Sequence, residues 1–591
     1  MTAPLAVAPW FMKAGFTALG LAYLLPGHYL PWPSFEPQTM AALGMALLAT
    51  AALLVARKDS FRPGLLGWIA LALCLQPAAQ WLTGQVPYRS DALLSVLYLV
   101  GFALCVCAGR ALAGADPEGP RAALLNALAL SAGLSAAITW GQCLEQSVVP
   151  MSIAVGPGQR PFGNLGQPNH LATLMALGMI GTLDAFERRR LGATVTGLVL
   201  AFMGGALLMT QSRAGWVALL VVTMWLLLQR KRLNLRVTPS PAIGFALVFS
   251  GLSAAWPSIM TLLKLGAVTH TERIQSGTRL LHWETLLDAA LRRPWSGWGW
   301  GQVSVAQLAA ANDHRATMEQ LSYSHNAVLD LVVWCGIPLG LAVAASVVFW
   351  FWRRAHQCRT PGSFTLLAAF MAVGVHALVE FPLAHTYFLL PWALMIGMLD
   401  AGVVQGVPTA RDVPVGPWPG SGGWPLPRAV GAGLLALTTA VASWVVLEYV
   451  QVDASTRAVR LQLAGIVGPS NDPEPPPQVL LLDGPREFHR FITTTARSDL
   501  SVAELEWMKQ VMQASPSPPV MLRYALAAGL NHRPEEATAT LAALCKIHPA
   551  KRCEEGRTSW LAAQQQHPEL SMVPVPALPP EAGSLLARSQ D

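Results

Sequence analysis

Of the 591 residues, 53% are hydrophobic and only 12% are charged, a balance that excludes an ordinary soluble enzyme and marks an integral membrane protein. The formal charge of +7 is divided unevenly: residues 1–448 carry 27 Lys and Arg against 18 Asp and Glu, whereas residues 449–591 carry 13 against 15. Basicity concentrated in the membrane part reflects orientation in the bilayer and gives no support to a nucleic-acid partner.

Apolar runs of roughly 17–25 residues, enough to cross the hydrocarbon core as helix, begin with 9–27, 39–56, 63–81, 91–113, 122–142, 167–185 and 191–209. They continue with 213–229, 241–264, 325–351, 363–380, 383–404 and 429–448. The expected fold is therefore an all-α polytopic membrane protein of about thirteen transmembrane helices. The first run carries a single Lys13 and has no small-residue cleavage site after it, so it is expected to stay as a helix rather than leave as a signal peptide.

Loops between the spans alternate in charge. One set holds Arg57, Lys58 and Arg62; Arg110 and Arg121; Arg188, Arg189 and Arg190; Arg230, Lys231, Arg232 and Arg236; Arg353, Arg354 and Arg359; Arg411 and Arg428. The positive-inside rule assigns these loops to the cytoplasm. The other set, at about 28–38, 82–90, 143–166, 210–213, 265–324 and 380–384, then faces outward, as does the tail beyond Val450.

This divides the chain into a transmembrane body over 1–404 with a large outward loop at 265–324, a cytoplasmic Pro/Gly linker at 405–428, a last span at 429–448 and an outward domain over 450–591. That domain reads as helices between Pro-rich breaks. Residues 520–549, with small side chains and a turn at Asn531–Pro534, predict an antiparallel helix pair like one tetratricopeptide unit. A small helical domain without repeats is the competing reading. Eight cysteines show no metal-ligand spacing, but Cys545 and Cys553 flank a short segment across which a disulfide could form in an oxidising compartment, free thiols being the equal alternative.

The polar motifs gather on the outward side. His325, in SYSHN at the start of a span, is costly at that depth unless used or paired; it could take a proton from a hydroxyl, and Asn326 beside it could equally be a helix cap. Arg213 in TQSRAGW and Arg279 in SGTRLLHW supply guanidinium groups suited to phosphate oxygens. In GNLGQPNH, Asn164, Gln167, Asn169 and His170 precede an apolar helix, with Pro168 suited to its first turn; sugar binding and simple capping are both open. In HALVEFPLAHTYF, His376 and Glu380 are four apart on an expected helix face. No third metal ligand accompanies them, so the expectation is a structural or substrate-orienting pair rather than a metal site.

These motifs, together with HYLPWPSF near the N-terminus and RRPWSGWGWGQ at 292–302, resemble those of bacterial O-oligosaccharyltransferases of the pilin-glycosylation ligase (PglL) type, within the O-antigen ligase and polymerase superfamily. The resemblance spans most of the chain; GNLGQPNH and HALVEFPL are its more specific strings, and SRAGW and SHN are shared with lipopolysaccharide ligases. It implies a cofactor-free, metal-independent inner-membrane transferase. Such an enzyme moves a preassembled oligosaccharide from undecaprenyl diphosphate to Ser/Thr hydroxyls of pilin or periplasmic proteins.

By the same resemblance His325 corresponds to the essential loop histidine, Arg213 and Arg279 to arginines near the diphosphate, and Gln167 to the motif amide. His385 stands where an aromatic residue is usual, which passes that role to Tyr387. Two other functions compete: ligation or polymerisation of O-antigen by the same machinery, and a transporter. Transporters concentrate charge near the midplane within repeated broken helices, unlike the one-sided motifs here.

Overall fold

The computed structural model describes residues 3–56, 61–144, 152–156, 159–262, 279–402, 425–463 and 475–578. Among these, all regular secondary structure is helical. Among the described residues, eight helices are long and apolar enough to cross a membrane, and three shorter apolar helices accompany them. Most of the linker expected at 405–428 and the first part of the 265–324 loop lie outside the described residues.

The expected spans fall on helices, with two informative differences. The run at 325–351 is two helices, Ala327–Cys335 and Ile337–Gln357. Gly336 separates them at φ +85°, where an L side chain would be strained. The last span does not stop near 448: helix Arg428–Leu463 runs for 36 residues, because its sequence turns polar without a Gly or Pro to end it.

The chain forms two compact units. The first comprises residues 1–74, 97–273 and 345–443. Its central element, Pro168–Glu187, is buried along nearly its whole length, from His170 to Ala185. A fully apolar surround suits such a helix except at its end, where buried Asp184 needs partners. Arg121 pairs with it, Arg188 Nε reaches it at 2.6 Å and Thr365 Oγ1 donates to it at 2.9 Å. That network ties the end of the helix to Gly119–Cys143 and Pro361–Ala377.

The second unit comprises 75–96, 274–344 and 444–591. Helices Arg279–Arg292, Val303–Ala311 and Ala327–Cys335 share a small core of Leu286, Ala289, Val303, Ala306 and Val333. A second core, with Met508, Met521, Tyr524, Leu541 and Trp560, joins the five C-terminal helices from Asp483–Thr493 to Ala550–Gln566. Helices Pro518–Leu530 and Pro534–Ile547 form the helix pair expected from 520–549, and a disulfide joins Cys545 to Cys553.

Side chains also seal the second unit. The Asp483 carboxylate accepts the backbone N–H groups of Arg89 and Ser90 at 3.0 and 2.8 Å. Glu448 accepts the N–H groups of Leu480, Leu481 and Leu482 at 2.7 to 3.0 Å, and Trp444 donates to it as well.

Candidate functional site

The residues singled out by sequence fall into two clusters, one in each unit. In the first unit the GNLGQPNH loop is shaped from within. Gln142 accepts the N–H groups of Phe162 and Gly163 and donates to the Gly163 carbonyl at 2.7 Å. Asn164 is 3% exposed; its amide donates to the Leu24 carbonyl at 2.7 Å and accepts the Ile153 N–H, so it holds the loop rather than facing open space. Gly166 has φ +71° and lies under the His28 ring, where a Cβ would come within 2.7 Å of Nδ1. Gln167 is the extended N-cap residue, and Pro168 follows in the first helical turn.

Three strands of polar contact converge beyond that cap. Asn169 Nδ2 donates to Glu380 Oε1 at 2.8 Å, and Gln167 Nε2 makes a longer contact of 3.5 Å with the other carboxylate oxygen. Thr173 Oγ1 lies 2.6 Å from His376 Nδ1. The Tyr387 hydroxyl lies 3.3 Å from His170 Nδ1, and the His385 ring stands edge-on to His170 at 4.5 Å between centroids. His170 Nε2, His385 Nδ1 and Gln167 Oε1 are buried without a hydrogen-bond partner among the described residues; such atoms can take up the hydroxyls of a ligand.

His376 and Glu380 do not share a helix face. Helix Pro361–Ala377 ends before Glu380, because Phe381 precedes Pro382 and is driven out of the helical region. The Glu380 N–H still bonds the His376 carbonyl at 2.9 Å, which keeps the pair close. His28, His385 and Thr173 join the cluster without having been assigned to it from sequence; nothing in their local spacing announces partners so distant in the chain.

Arg213 opens helix Arg213–Leu233 and is exposed. Ser212 caps that helix by accepting the Gly215 N–H at 3.1 Å. Gly215 meets the helix Pro168–Glu187 so closely that a Cβ there would lie 2.7 Å from Ala172 Cβ. The TQSRAGW motif thus packs against the helix that carries His170. A cation at a helix N-terminus opposes the helix dipole, a cost that an anionic ligand at the same point would relieve.

In the second unit, His325 adopts φ +58°, a left-handed conformation uncommon for a residue other than glycine. Both neighbours are clamped. Buried Ser324 donates its N–H to Asp330 Oδ1 at 2.7 Å and its hydroxyl to the Asn326 carbonyl at 2.8 Å, while its own carbonyl accepts the Trp283 indole N–H at 2.9 Å. Asn326 caps Ala327–Cys335, its Oδ1 accepting the N–H groups of Val328 and Leu329. Strain of this kind persists only where surroundings over-determine it, and it clusters at functional sites.

Arg279 and His282 lie one turn apart on helix Arg279–Arg292. His282 is 1% exposed and its Nε2 is 3.7 Å from the Glu319 carboxylate. Burial, then the neighbouring charges of His325 and Arg279, push its pKa down to about 4. Tyr323 is held up at about 12, first by burial and then by Asp330 and Asp91. His325, Arg279 and His282 therefore form one electrostatic group. Among the described residues, no set of three or more His, Cys, Asp or Glu side chains is arranged to hold a metal ion.

A multi-pass helical membrane protein with polar clusters of amide, imidazole and guanidinium groups is the class these features define. Residues 161–183 match the family model for a protein glycosylation ligase, 198–344 that for O-antigen ligase, and 364–562 that for the C-terminal part of a membrane-bound polymerase virulence factor. The general O-oligosaccharyltransferase of Acinetobacter baylyi is 30% identical over 550 residues, covering 90% of this chain and 91% of the relative. The ComP-specific O-oligosaccharyltransferase of the same organism is 26% identical over 393 residues, covering 66% of this chain and 70% of that relative. The chain belongs to the O-oligosaccharyltransferase family.

Proposed function

We propose that the protein transfers a preassembled oligosaccharide from undecaprenyl diphosphate to Ser/Thr hydroxyls of pilin or other periplasmic proteins. Its body would cross the bacterial inner membrane about thirteen times, with the motif-bearing loops and a tetratricopeptide-like C-terminal domain in the periplasm. The observation that carries this reading is the clamped left-handed His325, set beside Arg279 and His282 in a chain of this family.

In the proposed reaction the acceptor O–H gives its proton to His325 as its oxygen bonds to the anomeric carbon. The bond from that carbon to the phosphate oxygen breaks, and the lipid diphosphate leaves with the electron pair. A single displacement inverts the anomeric centre. Arg279 and Arg213 are assigned to the developing negative charge, where fixed donors contribute most. Gln167, Asn169, His170, His376, Glu380 and Tyr387 are assigned to donor recognition, with Asn164 supporting their loop and Asn326 orienting His325. No cofactor or metal enters the scheme.

Co-expression of the chain with a lipid-linked oligosaccharide pathway and a pilin-like acceptor tests the reading. Glycan on a Ser/Thr of the acceptor should fall by about 10²-fold or more in His325→Ala, the usual weight of a general base. Near-normal transfer by that variant would remove His325 from the mechanism. The O-antigen ligase match over 198–344 favours a second reading, transfer to lipid A–core or polymerisation of O-antigen; glycan only on lipopolysaccharide or only on its carrier would select it.

A further inference from the structure

A cleft of about 590 Å³ in the second unit is lined by Thr83, Gln85, Arg292, Arg293, Trp295 and Ser296, among others. It is an open cleft, with Thr83, Arg292, Arg293, Trp295 and Ser296 exposed along it. None of these residues belongs to the two clusters described above.

The wall of the cleft is built rigidly. The Pro294 carbonyl accepts the Ile337 N–H at 2.7 Å, and the Trp298 N–H bonds the Val333 carbonyl at 2.7 Å. Between them Gly297, at φ +67°, approaches Gly336 so closely that a Cβ would lie 2.6 Å from its nitrogen. Gln85 Nε2 closes the other side on the Gly297 carbonyl at 2.8 Å. Preorganisation of this sort lowers the entropic cost of binding.

Charge restricts the ligand. The chain that lines the cleft follows the apolar helix Gly64–Leu82 and bonds the start of Ile337–Gln357. Arg292 is neutralised by Asp288 at 2.5 Å and Asp313 at 2.7 Å. Arg293 is pinned 4.2 Å above the Trp298 ring. Two arginines against two aspartates leave little net charge for a phosphate. What remains is an indole, Trp295, that is 81% exposed, beside a fixed guanidinium, an amide and two hydroxyls. An exposed indole packs against the C–H face of a sugar ring while polar neighbours bond its hydroxyls. The cleft also connects to the His325 loop: Gln80 Nε2 reaches both the Ser296 and Trp334 carbonyls, at 3.4 and 2.8 Å, and the Trp334 ring packs on Tyr323.

We propose that this cleft is a glycan subsite that holds sugars of the donor oligosaccharide beyond the one being transferred from phosphate. The assignment rests on the oligosaccharide-transfer reading. Trp295 supplies the stacking platform and Arg293 the fixed donor. The subsite makes longer glycans better donors and leaves the chemistry to His325.

The test compares the full-length protein with Trp295→Leu and Arg293→Gln on undecaprenyl-diphosphate monosaccharide and trisaccharide donors. The wild type should favour the trisaccharide in kcat/KM by about tenfold, the scale of one good aromatic contact. In Trp295→Leu that ratio should approach one, chiefly through KM for the trisaccharide, and Arg293→Gln should lower it in the same direction. A general folding defect lowers both donors together and leaves the ratio intact. Leucine keeps an apolar side chain at the position, so an unchanged ratio would mean that the indole takes no part in holding the glycan and would overturn the proposal. A wild type indifferent to glycan length would overturn it as well. His325→Ala, run in parallel, should lose both donors; its failure to do so counts against the transfer mechanism, while the length ratio still reports on the cleft.

Discussion

The carboxylate of Asp330 accepts the backbone N–H of Ser324 at 2.7 Å, and this bond closes the turn in which His325 is held left-handed. Asp330 is 4% exposed, so removing it leaves a buried donor without its partner, a loss of about 1–3 kcal/mol. Asp330→Ala should lower kcat for glycan transfer by roughly tenfold or more, with KM little changed. Asp330→Asn retains an acceptor oxygen and should recover most of the rate. Equal damage from both variants would assign the effect to charge rather than to the turn.

Glu380 collects Asn169 and Gln167 at the mouth of the helix Pro168–Glu187. Glu380→Ala frees both amides and should raise KM for the lipid-linked donor by about 10-fold, equivalent to one charged hydrogen bond of roughly 1.5 kcal/mol. Glu380→Gln should give an intermediate value. Steady-state kinetics at varied donor and saturating acceptor check this; a selective change in acceptor KM would contradict the assignment.

His282 gives the second unit a defined acid sensitivity. Its pKa is pushed from 6.5 to about 4 by burial and by the charges of His325 and Arg279; the Glu319 carboxylate at 3.7 Å is 41% exposed and offsets little. Above pH 6.5 the ring is neutral in both the folded and unfolded chain and contributes no pH dependence. Below it the unfolded chain binds a proton that the folded chain rejects, so stability falls progressively between about pH 6.5 and 4, by roughly 3 kcal/mol in full. His282→Gln should flatten this part of the profile in thermal unfolding of the full chain. An identical slope in the variant would exclude His282 as its source.

Gly215 tests the packing under Arg213. A Cβ there would lie 2.7 Å from Ala172 Cβ, so Gly215→Ala should force the two helices apart at a cost of about 1–3 kcal/mol. Differential scanning fluorimetry in detergent should show a lower unfolding temperature, and transfer should fall because both His170 and Arg213 ride on the separated helices. Retained stability with normal transfer would show that the crossing relaxes freely.

What could be read without coordinates followed physical scale. Apolar run length marked the spans, Pro168 marked a helix start, and the turn at Asn531–Pro534 marked the helix pair 518–547. The motif residues of GNLGQPNH and HALVEFPL are brought together because each lies near a helix end of the first unit. Hydropathy could not show the break at Gly336, since glycine is neither strongly apolar nor polar, and its φ of +85° is a tertiary choice. Helical spacing likewise joined His376 to Glu380 where the backbone has already left the helix. His28, Thr173 and His385 carry no local signal, because their partners are more than a hundred residues away or lie across a ring contact.

The grip of Glu448 on Leu480, Leu481 and Leu482 has a practical corollary. One carboxylate sets the starting point of the C-terminal helices, so their register does not depend on the number of residues between the two ends. Glu448→Ala would release all three backbone N–H groups together, so the start of the C-terminal helices loosens before the helices themselves.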